Sequence, residues 1–152
     1  MPKETIAVIG AGTTDEATLK TAEEVGRLIA KKGAVLICGG LGGVMEAASK
    51  GAKSVGGVTV GIIPQNNKKE ANPFIDIPIV TGFGEGRNVI IVRSADAIIA
   101  IGGEYGTLSE IAFGLKMCKP VIGIGTWDIK GIIKAKNAED AVKKAFEIIS
   151  GT

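Results

Sequence analysis

The apolar positions of the chain fall into short, unbroken runs rich in Val and Ile: Thr5–Ile9, Ala34–Cys38, Val58–Ile63, Asp76–Val80, Ala97–Ile101 and Val121–Ile124. Runs that stay apolar without alternation predict strands covered on both faces, and therefore a parallel sheet. Between them the spacing changes to that of a helix. Thr14–Lys32 places Leu19, Ala22, Gly26 and Ile29 on one face, and Thr107–Lys116 does the same with Leu108, Ile111, Ala112 and Leu115. Asn137–Ile149 repeats the pattern with Ala141, Val142, Ala145 and Ile148, and Asn137 is a natural N-cap. Arg87–Ser94 holds four consecutive apolar residues, Val89 to Val92, which suit a strand or a buried helix. A helix is preferred there because the segment must join two predicted strands. Pro64–Pro73 is polar and reads as a surface loop. Strand and helix alternate throughout, with no linker or repeat. The expected fold is α/β: one doubly wound Rossmann-like domain spanning residues 1–152, a mostly parallel sheet flanked by helices, with right-handed crossovers.

Composition narrows the function. The chain has 152 residues, 45% hydrophobic and 22% charged, an ordinary globular balance. Its formal net charge of +2 lacks the basic excess that phosphate-backbone binding needs, and only 4% of residues are aromatic, too few for base-stacking platforms. No nucleic-acid partner is expected. Histidine is absent, which removes Ser-His-Asp and Cys-His nucleophiles and His-ligated metals. Cys38 and Cys118 are far apart and beside apolar runs, so they read as two reduced core thiols of a cytoplasmic protein rather than a metal site. No run approaches the roughly 18–20 apolar residues of a membrane span. The mean hydropathy of +0.31 is high, consistent with a doubly covered sheet and a contact between copies. No metal and no resident cofactor are expected.

Glycine is the outlier, with 23 residues, and three clusters follow predicted strands. In a doubly wound sheet, ligands bind beyond the carboxyl ends of the strands. Backbone N–H groups at tight glycine turns and helix N-termini hold anions there without cationic side chains. The first cluster, Gly10-Ala11-Gly12-Thr13, opens like a dinucleotide fingerprint. Its third glycine is replaced by Asp15, and no acid ends the second strand, where Cys38 runs into Gly39-Gly40. Both departures argue against a conventional NAD or FAD site. The second cluster has Gly39, Gly40, Gly42 and Gly43 within five positions, followed by Val44-Met45-Glu46. So many glycines are entropically costly, and close approach of a phosphate explains them better than packing. Met45 reads as core filler, and Glu46 as a complement to the helix dipole. The third cluster is Gly102-Gly103-Glu104-Tyr105-Gly106-Thr107-Leu108-Ser109-Glu110. Thr107 and Glu110 have the T-x-x-E spacing of a capping box, in competition with an anion pocket at the same helix end.

With these blocks in place the chain resembles the LOG phosphoribohydrolases, long labelled lysine decarboxylases, and their relatives the molybdenum cofactor carrier proteins. The resemblance runs through GGLGGVMEAASKGA (39–52), VGIIP (60–64), GRN (86–88), ADAIIAIGGEYGTLSE (95–110) and LKMCKPVI (115–122), nearly the whole chain. It implies a Rossmann-like sheet, a homodimer, and a nucleotide-shaped ligand over the strand ends. LOG enzymes carry an Arg-Lys pair and then PGGxGTxxE. Arg87 matches that Arg, Gly106-Thr107 its Gly-Thr, and Glu110 its terminal Glu. Asn88 stands in place of the Lys, Ile101 in place of the Pro, and Glu104-Tyr105 fills a gap of one residue. These departures point toward the carrier branch, whose pattern is RN…GGxxGTxxE. Lysine decarboxylation is set aside, because it requires pyridoxal phosphate and a Schiff-base lysine.

Two functions are compatible with these residues. One is binding of a nucleoside 5′-monophosphate or a related phosphorylated, nucleotide-like cofactor without turnover. Its phosphate would meet Gly10, Gly12, Thr13, Gly39, Gly40, Gly42, Gly43, Asn88, Gly102, Gly103, Gly106 and Thr107. The other is hydrolysis of the N-glycosidic bond to base and ribose 5-phosphate, through an oxocarbenium-like sugar. Glu110 would then hold the ribose hydroxyls and stabilise ring charge, Arg87 would orient the nucleotide, and Glu46 or Glu85 would assist. The expected contact between copies uses Ile90–Val92 and Ile111–Met117, giving a homodimer or higher homo-oligomer.

Overall fold

The computed structural model describes residues 2–151. Seven strands form one sheet, all parallel: β1 (Thr5–Gly10), β2 (Val35–Cys38), β3 (Thr59–Ile63), β4 (Ile77–Val80), β5 (Ala97–Ile101), β6 (Val121–Ile124) and β7 (Ile133–Lys134). The six apolar runs are the first six strands. The two-residue β7 carries no run of its own and escapes the sequence pattern. Five helices flank the sheet: α1 (Glu16–Lys31), α2 (Val44–Ser54), α3 (Arg87–Ser94), α4 (Tyr105–Lys116) and α5 (Ala138–Ser150). The ambiguous segment after residue 86 is helical, and each helix covers one face of the sheet.

The strand order is β4-β3-β2-β1-β5-β6-β7. Gly10 of β1 lies in register with Ile101 of β5. From β1 the chain winds outward toward β4, and from β5 it winds outward the other way. The connections leaving β1 and β5 therefore diverge and open a crevice at their carboxyl ends. Strand side chains alternate between two cores. Ile6, Val8, Leu36, Ile99 and Ile122 pack under α1, α2 and α5, whereas Ala7, Ile9, Ile37, Ile98 and Val121 pack under α3 and α4.

Local chemistry fixes the helix ends that border the crevice. Asp15, which displaces the third fingerprint glycine, is the N-cap of α1; its Oδ1 accepts from the Thr18 N–H at 2.7 Å. Asn137 caps α5 as its spacing predicts, accepting from the Asp140 N–H at 2.9 Å. The capping box expected at Thr107 and Glu110 does not form. Helix α4 starts two residues earlier, at Tyr105, so Thr107 is already inside its first turn, and Glu104 at the N-cap makes no side-chain capping bond.

Helices α1 and α2 touch through glycine. A Cβ on Gly26 would lie 1.8 Å from the Ala48 carbonyl oxygen, and one on Gly51 would lie 1.8 Å from that of Glu23. Cys38 is buried, and burial pushes its thiol pKa up, so it is an unreactive thiol. Cys118 was expected in the core but is exposed, at a φ of 59° just past the end of α4. It occupies the left-handed turn position that ends a helix, where the side chain points outward. Among the described residues no helix is long and apolar enough to cross a membrane.

Candidate functional site

A hollow of about 590 Å³ lies at the crevice. Its floor is the end of β1 and the turn Gly10–Thr13; its walls include Gly39, the α3 residues Arg87 and Asn88, and the first turns of α4 with Gly106, Thr107 and Glu110. The structure thus brings nine of the predicted residues to one cavity: Gly10, Gly12, Thr13, Gly39, Arg87, Asn88, Gly106, Thr107 and Glu110. Among the described residues no group of three or more His, Cys, Asp or Glu side chains is arranged to hold a metal ion.

Five predicted residues do not line the hollow, and neighbouring protein atoms account for most of them. Gly43 has a φ of 62°, and a Cβ there would meet the Ala11 carbonyl oxygen at 2.2 Å. The Val44 N–H donates to that same oxygen at 3.0 Å. Gly43 therefore lets the turn after β2 close onto the turn after β1. Gly40, at φ 76°, would clash with Ile63 and Gly42 sits behind Gly12. Gly102 and Gly103 are both left-handed, and a Cβ on Gly103 would press on the Thr107 side chain at 2.4 Å. Within the second cluster, Gly43 lets the two turns close together, Gly40 packs on Ile63 and Gly61 of β3, and of its four glycines Gly39 lines this hollow.

Arg87 is the cation of the site. It is buried, 8% exposed, because α3 begins directly beneath the ends of β2 and β3. Its Nε donates to the Ile62 carbonyl at 2.8 Å, its Nη2 to the Gly39 carbonyl at 3.4 Å, and its Nη1 to Asn88 Oδ1. Asn88 Nδ2 in turn donates to Ser109 Oγ at 3.2 Å, which ties α3 to α4. The guanidinium is therefore held on neutral acceptors. Burial lowers its pKa, with partial compensation from the Glu110 carboxylate.

Glu110 is 7% exposed, and its carboxyl group makes no hydrogen bond among the described residues. Burial pushes its pKa up to about 8, against the opposing pull of Arg87. At neutral pH the group is chiefly protonated, and the positive charge of Arg87 is left without a direct carboxylate partner. The open end of α4 adds amide donors: the N–H groups of its first turn have no carbonyl partner within the helix, and Gly106 and Thr107 sit on the wall of the hollow. A buried cation, a helix N-terminus and a β1 glycine turn converge on one space, an arrangement that attracts an anion of phosphate size.

Several residues that support this wall escape sequence reasoning. Asn72, inside the loop expected to be merely polar surface, is buried. Its N–H donates to the Gly40 carbonyl and its Nδ2 to the Leu41 carbonyl, both at 2.8 Å, which pins the second glycine turn. Trp127 Nε1 donates to the Glu104 carbonyl at 3.1 Å and packs its ring against Tyr105, steadying the start of α4. Neither contact has a local sequence signal, since both join segments more than twenty residues apart. Met45 lines the hollow as well as packing on the core, and Glu85 is on the wall while Glu46 is not. Of the expected contact surface between copies, Ile91, Val92 and Ile111 are buried within the chain's own core and Ile90 is half-buried against it; Ala112 and Phe113 are exposed.

The profile of the SLOG cluster4 family matches residues 3–149. The molybdenum cofactor binding protein of Rippkaea orientalis is 40% identical, with 99% of each chain covered and a TM-score of 0.94. The molybdenum cofactor carrier protein of Chlamydomonas reinhardtii is 36% identical over 98% of this chain and 99% of that one, with a TM-score of 0.89. A cytokinin riboside 5′-monophosphate phosphoribohydrolase of Mycobacterium tuberculosis is 38% identical over 112 residues, 70% of this chain and 59% of that protein.

Proposed function

Because the chain belongs to the SLOG cluster4 family, we propose that its strand-end hollow binds a nucleoside 5′-monophosphate or a related phosphorylated, nucleotide-like cofactor, in the manner of a carrier. The observation that carries this reading is the buried Arg87, held on carbonyl oxygens beside the open N-terminus of α4. The phosphate lies between the Gly10–Thr13 turn and Gly106-Thr107, with Arg87 supplying charge. Met45 and Leu41 give the base or pterin-like ring an apolar wall. The carrier-protein neighbours support the cofactor form of the ligand. Two copies pair through α3 and α4, with the exposed Phe113 and the half-buried Ile90 among the contact residues.

A second reading is favoured by Glu110, buried at the hollow with its carboxyl group free of hydrogen bonds. In a phosphoribohydrolase its carboxylate holds the ribose hydroxyls and stabilises positive charge on the sugar ring. That role requires the ionised form, so turnover rises as pH climbs through about 8. Incubation with adenosine monophosphate separates the two. The carrier reading expects a rise in Tm with the nucleotide recovered intact. Release of adenine that Glu110→Gln abolishes, in a variant that stays folded, would replace it with the hydrolase. Neither a Tm shift nor adenine would contradict both.

A further inference from the structure

A second hollow of about 400 Å³ adjoins the first and shares Gly12 and Thr13 with it. It opens between the N-terminal halves of α1 and α2, with Leu19 and Ala47 as apolar walls and Glu23, Glu46 and Lys50 as charged ones. Gly12 forms the saddle between the two spaces. Its φ is outside the left-handed region, and a Cβ there would meet no atom within 4 Å. Neither backbone strain nor packing requires a glycine at this position. What the missing side chain preserves is clearance over the saddle.

The polar groups of the second hollow define what it accepts. Lys50 is drawn toward Glu23, at 4.0 Å. Glu46 makes no hydrogen bond or ion pair among the described residues, and the hydroxyls of Thr13 and Thr14 make no hydrogen bonds either. The free carboxylate disfavours a second anionic group and favours a neutral one rich in donors. A ribose diol with its base fits these walls: hydroxyls on Glu46, an apolar ring face on Leu19 and Ala47. Dinucleotide folds place such an acid at the end of the second strand; this chain lacks it there, and the first turn of α2 offers Glu46 instead.

We propose that the ligand spans both hollows as a pyrophosphate-linked dinucleotide, one nucleotide in the larger space and a second nucleoside in the smaller, with the phosphate link crossing Gly12 and Thr13. This rests on the larger hollow being a nucleotide site. The test is calorimetric titration of the full chain with adenosine monophosphate and with diadenosine pyrophosphate. The dinucleotide binds at least about tenfold more tightly. Glu46→Gln and Ala47→Leu, both confined to the smaller hollow, remove that advantage and leave adenosine monophosphate binding unchanged. Circular dichroism and unaltered monophosphate affinity certify that the variants are folded. Equal affinity of the two ligands for the wild type, or an advantage that survives both substitutions, overturns the second subsite alone. Failure of both ligands to bind overturns the nucleotide site and this inference with it.

Discussion

The α1–α2 contact and the rim of the larger hollow are both built with glycine, and they differ in what a side chain would meet. At Gly26 and Gly51 an added Cβ lands 1.8 Å from a backbone carbonyl oxygen of the opposite helix. At Gly12 and Gly106 it meets nothing within 4 Å, and neither residue has a left-handed φ. Gly106 even stands in the first turn of α4, where glycine weakens the helix by about 0.5–1 kcal/mol relative to alanine. The first pair is required by the fold. The second pair is tolerated by it, and the space they leave open is where the proposed function seats the ligand. A raised glycine content is thus two populations with different causes, which only the surroundings separate.

The largest effect that sharpens this contrast is on stability. Gly26→Val forces the two helices apart or prevents folding, a loss on the order of 4 kcal/mol or more, read by chemical denaturation. Next comes pH. Glu110 holds its proton more tightly in the folded chain, at about 8, than at its ordinary 4.5. The stability this contributes is complete below about pH 4.5 and is lost as pH climbs through about 8, at roughly 1.4 kcal/mol per pH unit. Wild-type Tm should fall across that window, and Glu110→Gln should flatten the fall. If the wild-type profile is level, the carboxyl is not buried as described.

On the hollow side, Arg87→Met removes the site's buried cation and is expected to weaken adenosine monophosphate binding by about a hundredfold, measured by calorimetry. Gly106→Ala breaks the comparison most cleanly because the two readouts diverge. Stability rises by about 0.5–1 kcal/mol while nucleotide affinity falls about tenfold. A rise in stability with unchanged affinity would mean that the space over Gly106 is not used. The smallest effect lies outside both regions. Cys118→Gly relieves the left-handed backbone after α4 and should raise stability by about 1 kcal/mol without touching ligand binding.

The sheet and its helices were legible because burial on both faces writes continuous apolar runs, and amphipathic helices write a 3.6 period. The strand ends were legible for the same reason, since a glycine cluster directly after an apolar run marks a carboxyl end. What the pattern could not convey was contact between distant segments. Thr107 and Glu110 match a capping box by spacing, yet α4 starts at Tyr105, where the Glu104 carbonyl accepts from Trp127, twenty-three residues further along the chain. Gly43 and Gly39 look alike in sequence. One packs against the Ala11 carbonyl, the other against the side chains of Arg87 and Met45 on the wall of the hollow, and no one-dimensional rule separates them. Ile91 and Ile111 were similarly ambiguous, because an apolar helix position can face its own sheet or another copy.

The central claim is that the amides of the β1 turn and of the α4 start, together with Arg87, hold a phosphoryl group. A crystal structure of the chain with adenosine monophosphate at about 1 mM tests it directly. The account predicts phosphate oxygens within about 3 Å of backbone nitrogens in both segments, with the base directed over Met45. A nucleotide bound elsewhere, or one seated with its phosphate in solvent and its base against Arg87, would contradict it.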